Sequence, residues 1–357
     1  MSSLLLRPHP TARPADVAGV VEWFGAMQAQ DMASGLWSLG MRLPGSTQAD
    51  VVAALERREA LRTWPMRGTV HLVPSRDARW MLEVTGVLAL AGAERRRAFL
   101  GLSEADADRA VDVLGAALAG GGRLTRAECV AALEKAGIEG AGQRGYHLLW
   151  YAAQRGVTCV APHVGTEQTF VLLDEWVPQP HRPERDEALG ILALRYFRSH
   201  GPTTRKDFAG WTGLSAADAK RGIAAAGAAL TTVTVDGVES VVDPALLDAP
   251  RPAVDDVHAL PGFDEYLLGY KDRALMLLDP AHKQAIIPGN NGVFRSTVVR
   301  GGRVVGTWKR TLGKTKVKVA VEPLADLDAA ARGRVDAALA AYAGFLGLPP
   351  AVEWATV

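Results

Sequence analysis

Two glutamines in the N-terminal region, Gln28 and Gln30, are separated by a single residue. Gln28 falls within an apolar series at helical spacing, where a buried primary amide must find hydrogen-bond partners or cost a few kcal/mol. In a continuous helix Gln30 would point about 200° away from Gln28. If the helix ends near Ala29, an extended chain directs both amides to one side, where the pair can orient a water molecule. The sequence leaves open whether Gln28 faces a cavity or only ties the helix to a neighbouring loop.

The elements that position this pair follow from the spacing of apolar residues. Pro14 and the apolar stripe over 17–27 predict an amphipathic N-terminal helix. A second helix is predicted over 48–58, two short strands over 61–73, and a long helix over 75–99. Helices followed by a strand pair are typical of a winged helix.

The middle of the chain repeats this order twice. Thr125 and Thr204 lie 79 residues apart, and each is followed three positions later by an acidic residue. This pattern predicts a helix N-cap in both places. A further helix and a strand pair follow each cap, and Asp236-Gly237 predicts a hairpin in the second copy. Two copies in register, with a third candidate at the N-terminus, predict tandem winged helices.

The C-terminal region has a different sequence pattern, with short runs typical of β-strands separated by turns and a final Ala-rich helix predicted over 327–346. The predicted fold class is therefore α+β, mostly α: three tandem winged-helix motifs followed by a small β-rich domain with a C-terminal helix. The predicted strands are 274–278, 293–299, 304–309 and 316–321. The predicted domain boundaries are 1–102, 103–183 and 184–249 for the winged helices and 250–357 for the β-rich domain.

One block of the C-terminal region carries only positive charge. Between Pro280 and Val321 there are nine Lys or Arg residues and no Asp or Glu, although the formal net charge of the chain is +1. Such a block can contact phosphates, and it is also typical of a solvated sheet edge that resists aggregation. Tandem winged helices favour the first interpretation, because their usual partner is duplex DNA.

Composition excludes several classes of protein. With 357 residues, 48% of them hydrophobic and 22% charged, the chain is long enough for several folded domains and is neither disordered nor histone-like. Cys129 and Cys159 form no CxxC pattern and no HExxH motif occurs, so we expect neither a disulfide scaffold nor a metal site. No apolar run approaches the ~20 residues that span a bilayer. We therefore expect a soluble, cytoplasmic protein without a cofactor.

Four sequence blocks carry a family resemblance in combination, although none does so alone. They are Gln28-Ala29-Gln30 with Asp31 and Arg42, Arg67-Gly68-Thr69 with His71, residues 261–268 with Arg273, and residues 289–299 with 302–310. In this combination, over nearly the whole chain, the sequence resembles the bacterial winged-helix DNA glycosylases of the AlkZ group. Their relatives include the AlkX branch, in which an Asp replaces the second Gln.

The resemblance implies a C-shaped molecule that encloses duplex DNA and excises N7-alkylated guanines, including bulky adducts and interstrand cross-links. Gln28 and Gln30 are implied as the catalytic pair of a monofunctional, monomeric enzyme. Asp31 is adjacent, and the sequence leaves open whether it accepts the proton of the attacking water. The alternative function is a non-catalytic winged-helix protein that regulates genes or sequesters adducts.

The expected DNA contacts are spread over two regions of the sequence. Arg67 precedes Gly68, which allows a phosphate to approach closely, and Arg295 lies beside an Asn290-Asn291-Gly292 turn. Asp264 and Arg273 are expected to pair within the β-rich domain. The full set of predicted DNA contacts is Arg42, Arg67, His71, Asn291, Arg295, Lys309 and Arg310.

Overall fold

The computed structural model describes residues 1–249, 253–290 and 292–355. Its α-helices in chain order, α1 to α16, are Val17–Phe24, Met32–Gly40, Gln48–Glu56, Ala78–Met81, Val87–Ala91, Glu94–Phe99, Glu104–Leu118, Arg126–Lys135, Gln143–Gln154, Leu173–Trp176, Arg185–His200, Arg205–Thr212, Ala216–Ala226, Glu265–Leu268, Lys283–Ile286 and Ala329–Phe345. Its strands, β1 to β13, are Met27–Gln28, Ala60–Met66, Thr69–Pro74, Leu124–Thr125, Thr158–Val164, Glu167–Leu172, Thr231–Val235, Val238–Val242, Val257–Leu260, Ser296–Arg300, Arg303–Leu312, Val317–Pro323 and Pro350–Trp354.

The contacts of the chain group it into two compact units, each built from separate segments. The first unit contains Met1–Val52, Tyr196–Trp211 and Ala228–Val357, and the second contains Ala53–Arg195 and Thr212–Gly227. The four predicted domain boundaries stay a prediction. Within the described ranges, no helix is both long and apolar enough to cross a membrane.

The first unit is organised around a five-stranded sheet in the order β13-β12-β11-β10-β9. Its pairs are antiparallel except for β12 and β13. On β12, Val317, Val319 and Val321 are buried while the residues between them are exposed, as expected for a sheet with one face against a core. The long helix α16 supplies Tyr342 to that core, where its ring lies 5.0 Å from the Trp308 ring.

The second unit places β3, β2, β5, β6 and β4 side by side in that order. Helices α7, α8 and α9 pack with these strands around one apolar core that includes Leu114, Leu133, Leu148 and Phe170. Helix α7 begins at Ser103 with a capping box, and α8 begins at Thr125 with a second one. These caps satisfy backbone N–H groups that would otherwise lack partners.

Several predicted elements are confirmed. The N-caps at Thr125 and Thr204 are present, the latter with Asp207 as the acidic partner. Asp236 and Gly237 both have positive φ in the β7–β8 hairpin, as a tight turn of this type requires. The α+β class is confirmed as well, whereas the number of winged helices stays a prediction.

Other predicted elements are wrong. The helix over 75–99 is not regular throughout: it runs from Ala78 to Ala91 through a π-helical stretch at Leu82–Gly86, and a turn at Gly92 and Ala93 separates it from Glu94–Phe99. The predicted strand over 274–278 contains a helical turn at Ala274–Met276, where Asp272 accepts a hydrogen bond from the Ala274 N–H. Helix α2 and strands β9 and β13 were not predicted, because their short apolar runs give no distinct period.

Helix α2 touches helix α16 at a glycine, which generates a stability prediction. A Cβ on Gly40 would lie 2.3 Å from the buried Phe345 ring, whereas a Cβ on Gly333 of α16 would meet nothing within 4 Å. We expect Gly40→Ala to lower the free energy of unfolding by about 1–3 kcal/mol through overpacking. Gly333→Ala, the matched control, should raise it by about 1 kcal/mol through helix propensity. Urea unfolding measures both, and equal effects of the two variants would contradict this packing.

Candidate active site

The segment between α1 and α2 carries both glutamines outside any helix. Helix α1 ends at Phe24 because Gly25 adopts a positive φ of 80° and its N–H donates to the Val21 carbonyl. The chain is then extended at Met27 and Gln28. The helix thus stops before the pair, earlier than the predicted end near Ala29, and the helical-wheel position assigned to Gln28 does not apply. Gln28 is buried, and Gln30 is exposed in a bend.

The position of Gln28 is fixed through its backbone by a buried carboxylate. The Gln28 N–H donates to Glu265 Oε1 over 2.9 Å. Trp211 Nε1 donates to Glu265 Oε2 over 3.0 Å, and His200 Nε2 lies 3.3 Å from the same oxygen. Both carboxylate oxygens of Glu265 therefore have hydrogen-bonding neighbours, as a buried charge requires. Glu265 is not among the predicted site residues, although it lies inside the block 261–268.

Asp264, the neighbour of Glu265, holds helix α2 through Arg42. The guanidinium contacts both carboxylate oxygens of Asp264, over 2.8 and 3.0 Å. Ser38 donates a further hydrogen bond of 2.7 Å to the same carboxylate. Burial alone would raise the pKa of Asp264, but the charge of Arg42 and these hydrogen bonds outweigh it and lower the pKa below its usual range.

This geometry corrects two predictions. The Arg42 side chain is fully buried and its Nε donates to the Leu4 carbonyl, so its assignment as a DNA contact is wrong. The expected pair of Asp264 with Arg273 is also wrong, because Asp264 pairs with Arg42 and Arg273 Nε donates to the Leu267 carbonyl. No local pattern in the sequence indicates that Arg42 pairs with Asp264.

Asp31, directly after Gln30, is the N-cap of α2 and an ion-pair partner. It accepts hydrogen bonds from the Ser34 N–H and hydroxyl, and Arg310 Nη2 lies 2.8 Å from its Oδ2. Partial burial raises the pKa of Asp31, but the hydrogen bonds and the charge of Arg310 outweigh burial and lower it. Asp31 is therefore a carboxylate of low basicity at neutral pH.

A cavity of about 560 Å³ opens beside Asp31 within the first unit. Three of the predicted DNA contacts, Arg295, Lys309 and Arg310, line it together with Phe263. Arg295 lies 3.5 Å from Glu322 in an ion pair, and Lys309 is exposed on β11. The structure thus brings these three cations next to the segment that carries the glutamines. Asn291, also predicted to contact DNA, lies outside the described residues.

The remaining predicted contacts, Arg67 and His71, lie in the second unit. Arg67 and Gly68 form the tight turn between β2 and β3, with positive φ at both residues. His71 is fully buried, so its assignment as a DNA contact is wrong. Its Nδ1 lies 2.8 Å from the Thr69 carbonyl and so carries the proton, which leaves Nε2 to accept from Arg67 over 3.4 Å. His71 orients the exposed Arg67 side chain.

Two further features of the side chains concern metal binding and reactive thiols. Within residues 1–249, 253–290 and 292–355, no group of three or more His, Cys, Asp or Glu side chains is arranged to hold a metal ion. Cys129 and Cys159 are both buried free thiols. Burial raises the pKa of Cys129 to about 12, so this thiol stays protonated and unreactive.

Comparison with solved structures places the fold among DNA glycosylases. The chain is similar to the DNA glycosylase AlkZ of Streptomyces sahachiroi, with a TM-score of 0.77 and 26% identity over 99% of this chain and 97% of that one. Among curated proteins, it is 29% identical over 328 residues to the interstrand DNA cross-link repair glycosylase of the same organism. That alignment covers 87% of this chain and 85% of the relative.

The model of the AlkZ-like DNA glycosylase family matches residues 21–345. The chain therefore belongs to the AlkZ-like DNA glycosylase family. The resemblance drawn from the four sequence blocks is confirmed.

The buried Asp264 generates a prediction for stability against pH. Its pKa is lower in the folded protein than in the unfolded chain, so it stabilises the fold above the unfolded pKa of about 3.9. This contribution is lost as pH falls through the folded pKa. We expect Asp264→Asn to cost about 3–5 kcal/mol at pH 7, because Arg42 is left buried without its partner. The variant should also lose less further stability between pH 5 and 3 than the unsubstituted protein.

Urea unfolding at several pH values measures this difference. Asp328→Asn is the matched control, since Asp328 caps α16 by accepting from the Ala331 N–H but lies far from Arg42 in sequence and has no ion pair in the described structure. An Asp264→Asn variant with the same pH dependence as the unsubstituted protein would contradict the assignment.

Proposed function

We propose that this chain is a monofunctional, metal-independent DNA glycosylase that hydrolyses the N-glycosidic bond of cationic N7-alkylated guanines. Membership of the AlkZ-like DNA glycosylase family supports the activity. The name of the curated relative, a cross-link repair glycosylase, supports interstrand cross-links as substrates. The enzyme acts as a monomer on duplex DNA, with Gln28 and Gln30 as the catalytic pair.

One observation carries this proposal: the glutamines lie on a short, non-helical segment that is fixed at one end and bordered by cations at the other. Glu265 fixes the backbone of Gln28. Asp31, the residue after Gln30, is held by its ion pair with Arg310. The backbone that carries the amide pair is thus held on both sides by groups that are buried or ion-paired. Preorganised dipoles are effective because they need no rearrangement during the reaction.

A neutral pair is adequate for this substrate class. The ring of an N7-alkylguanine already carries a positive charge, so the base departs as a neutral molecule when the C1′–N9 bond breaks and N9 takes the electron pair. The sugar becomes oxocarbenium-like and a water oxygen bonds to C1′. The amide oxygens of Gln28 and Gln30 orient this water, and its proton passes to solvent. The same chemistry excludes uracil and undamaged purines, which would leave as anions unless a further group protonated them or stabilised their charge.

The cations of the 560 Å³ cavity supply the phosphate contacts in this proposal. Arg295 and Lys309 bind the DNA backbone there, and Arg310 is divided between phosphate and Asp31. Three exposed lysines of the β11–β12 hairpin extend this positive surface away from the cavity. They are Lys314, Lys316 and Lys318.

The catalytic pair is tested by substitution. We expect Gln28→Ala/Gln30→Ala to slow release of N7-methylguanine from duplex DNA by about 10²–10³-fold, since oriented dipoles of this kind contribute that much. Strand breaks at the lesion after alkali treatment measure the release. The same variant should fail to separate the strands of a duplex joined by an N7–N7 guanine cross-link.

Gln284→Ala is the matched control, because Gln284 is an exposed amide on α15 of the same unit. It should release the base at the unsubstituted rate. Undiminished release by the double variant would overturn the catalytic assignment. DNA binding without any base release by the unsubstituted protein would favour the non-catalytic winged-helix protein instead.

Asp31→Asn separates the two possible acceptors of the water proton. Because the pKa of Asp31 is lowered and its Oδ2 accepts hydrogen bonds from Ser34 and Arg310, we expect the variant to keep the rate within about tenfold, whereas loss of a true general base costs about 10²–10⁴-fold. Rates between pH 5 and 8 should be equally flat for both proteins. A larger loss of rate in the variant would assign the proton to Asp31. So would a rate that decreases as the pH is lowered in the unsubstituted protein but not in the variant.

A further inference from the structure

The second unit contains a cavity of about 980 Å³ that the proposed chemistry does not use. Its wall is mainly apolar and includes Tyr146, His147 and Trp150 on one side of helix α9. Three arginines, Arg67, Arg96 and Arg126, also line it. Among the described residues no Asp or Glu lines this cavity, so it is complementary to an aromatic ligand with negative charge.

The aromatic surface of the cavity is already arranged for stacking. The Arg126 guanidinium lies over the Tyr146 ring, 5.3 Å from its centroid, and Trp64 meets the same ring edge-on at 6.4 Å. Tyr146 remains partly exposed while Trp64 is buried. A planar guanidinium on a supported aromatic ring is a surface on which nucleobases stack.

A buried histidine in the same wall has an unused hydrogen-bonding atom. His147 is 6% exposed, it stacks on Trp150 at 5.2 Å, and within the part of the chain that the structure describes its Nε2 has no hydrogen-bond partner. Burial, with the nearby charges of Arg97 and Arg96, lowers the pKa of His147 to about 4. The ring is therefore neutral at pH 7, and its buried Nε2 is a polar atom within the cavity wall.

We propose that this cavity binds one unstacked nucleotide of DNA, with the base against Arg126 and Tyr146 and its phosphate on Arg96. Arg67, oriented by His71, borders the same cavity and binds a neighbouring phosphate. This inference rests on the proposed function, because it takes DNA as the partner. The cavity is a second nucleotide site, which reads an extrahelical base by stacking and the strand by charge.

The test compares three fluorescently labelled duplexes of identical length. One is fully paired, one has a single bulged adenosine, and one has a bulged abasic site that keeps the phosphate but lacks the base. We expect the unsubstituted protein to bind the adenosine bulge about tenfold more tightly than the abasic bulge, because stacking on aromatic side chains is worth this much per base. Equal affinities for these two duplexes would overturn the inference.

Two variants locate the preference in the cavity. Tyr146→Ala should remove the preference for the bulged base, and Arg126→Ala should both reduce that preference and weaken binding of all three duplexes. Val164→Ala and Arg57→Ala are the controls, since both side chains are exposed in the second unit and neither lines the cavity. Persistence of the preference in Tyr146→Ala, or its loss in Val164→Ala, would contradict the assignment.

A spectroscopic signature keeps the test independent of affinity. With 2-aminopurine as the bulged base, binding should quench its fluorescence in the unsubstituted protein and not in a folded Tyr146→Ala variant. Base release from N7-methylguanine duplex, measured in parallel, separates the two proposals. Release without bulge preference defeats only the cavity inference, and bulge preference without release defeats only the catalytic proposal.

Discussion

Two adjacent buried carboxylates determine where the N-terminal segment lies in the first unit. Asp264 binds Arg42 and Ser38 of the region after α1, and Glu265 binds the backbone N–H of Gln28. These partners are more than 220 residues earlier in the chain. An unpaired buried charge is costly, so the chain gains by closing this long loop correctly. The precision with which Gln28 is placed thus derives from charge pairing and less from the local structure of the segment.

This arrangement also explains how an amide with no helix around it is kept in place. Glu265 accepts a hydrogen bond from the backbone N–H of Gln28. On the far side of Gln30, Asp31 satisfies the first turn of α2 and contacts Arg310 of β11. The segment is therefore held at both ends by carboxylates, while Gln30 between them is exposed to solvent. Low basicity of Asp31 is a consequence of this structural role, because the groups that hold it stabilise its charged form.

Local signals made much of the fold predictable. Thr125 and Thr204 with their acidic partners, and Asp236-Gly237, gave correct helix starts and a correct hairpin because the determining contacts span only two to four residues. Gln28 and Gln30 were singled out by residue type and spacing, and their catalytic role stays a proposal. The partners of Arg42 and the burial of His71 were missed, because both depend on tertiary contacts that no short pattern records. A polar residue on a strand or helix is equally compatible with surface and core until its partner is known.

A count of charged residues overstates the unpaired positive charge of the block between Pro280 and Val321. Of its nine cations, Arg295, Arg300 and Arg310 have carboxylate partners outside the block, at Glu322, Asp255 and Asp31. Their charge is largely offset locally. Lys314, Lys316 and Lys318, by contrast, are exposed toward the end of the β11–β12 hairpin, where Leu312 is also exposed. The hairpin end thus carries a group of exposed lysines, whereas Arg295 and Arg310 near Asp31 are ion-paired. An anionic polymer attracted to the hairpin would then reach the segment that carries Gln28 and Gln30. The positive charge there depends on whether Arg310 pairs with Asp31 or with a phosphate.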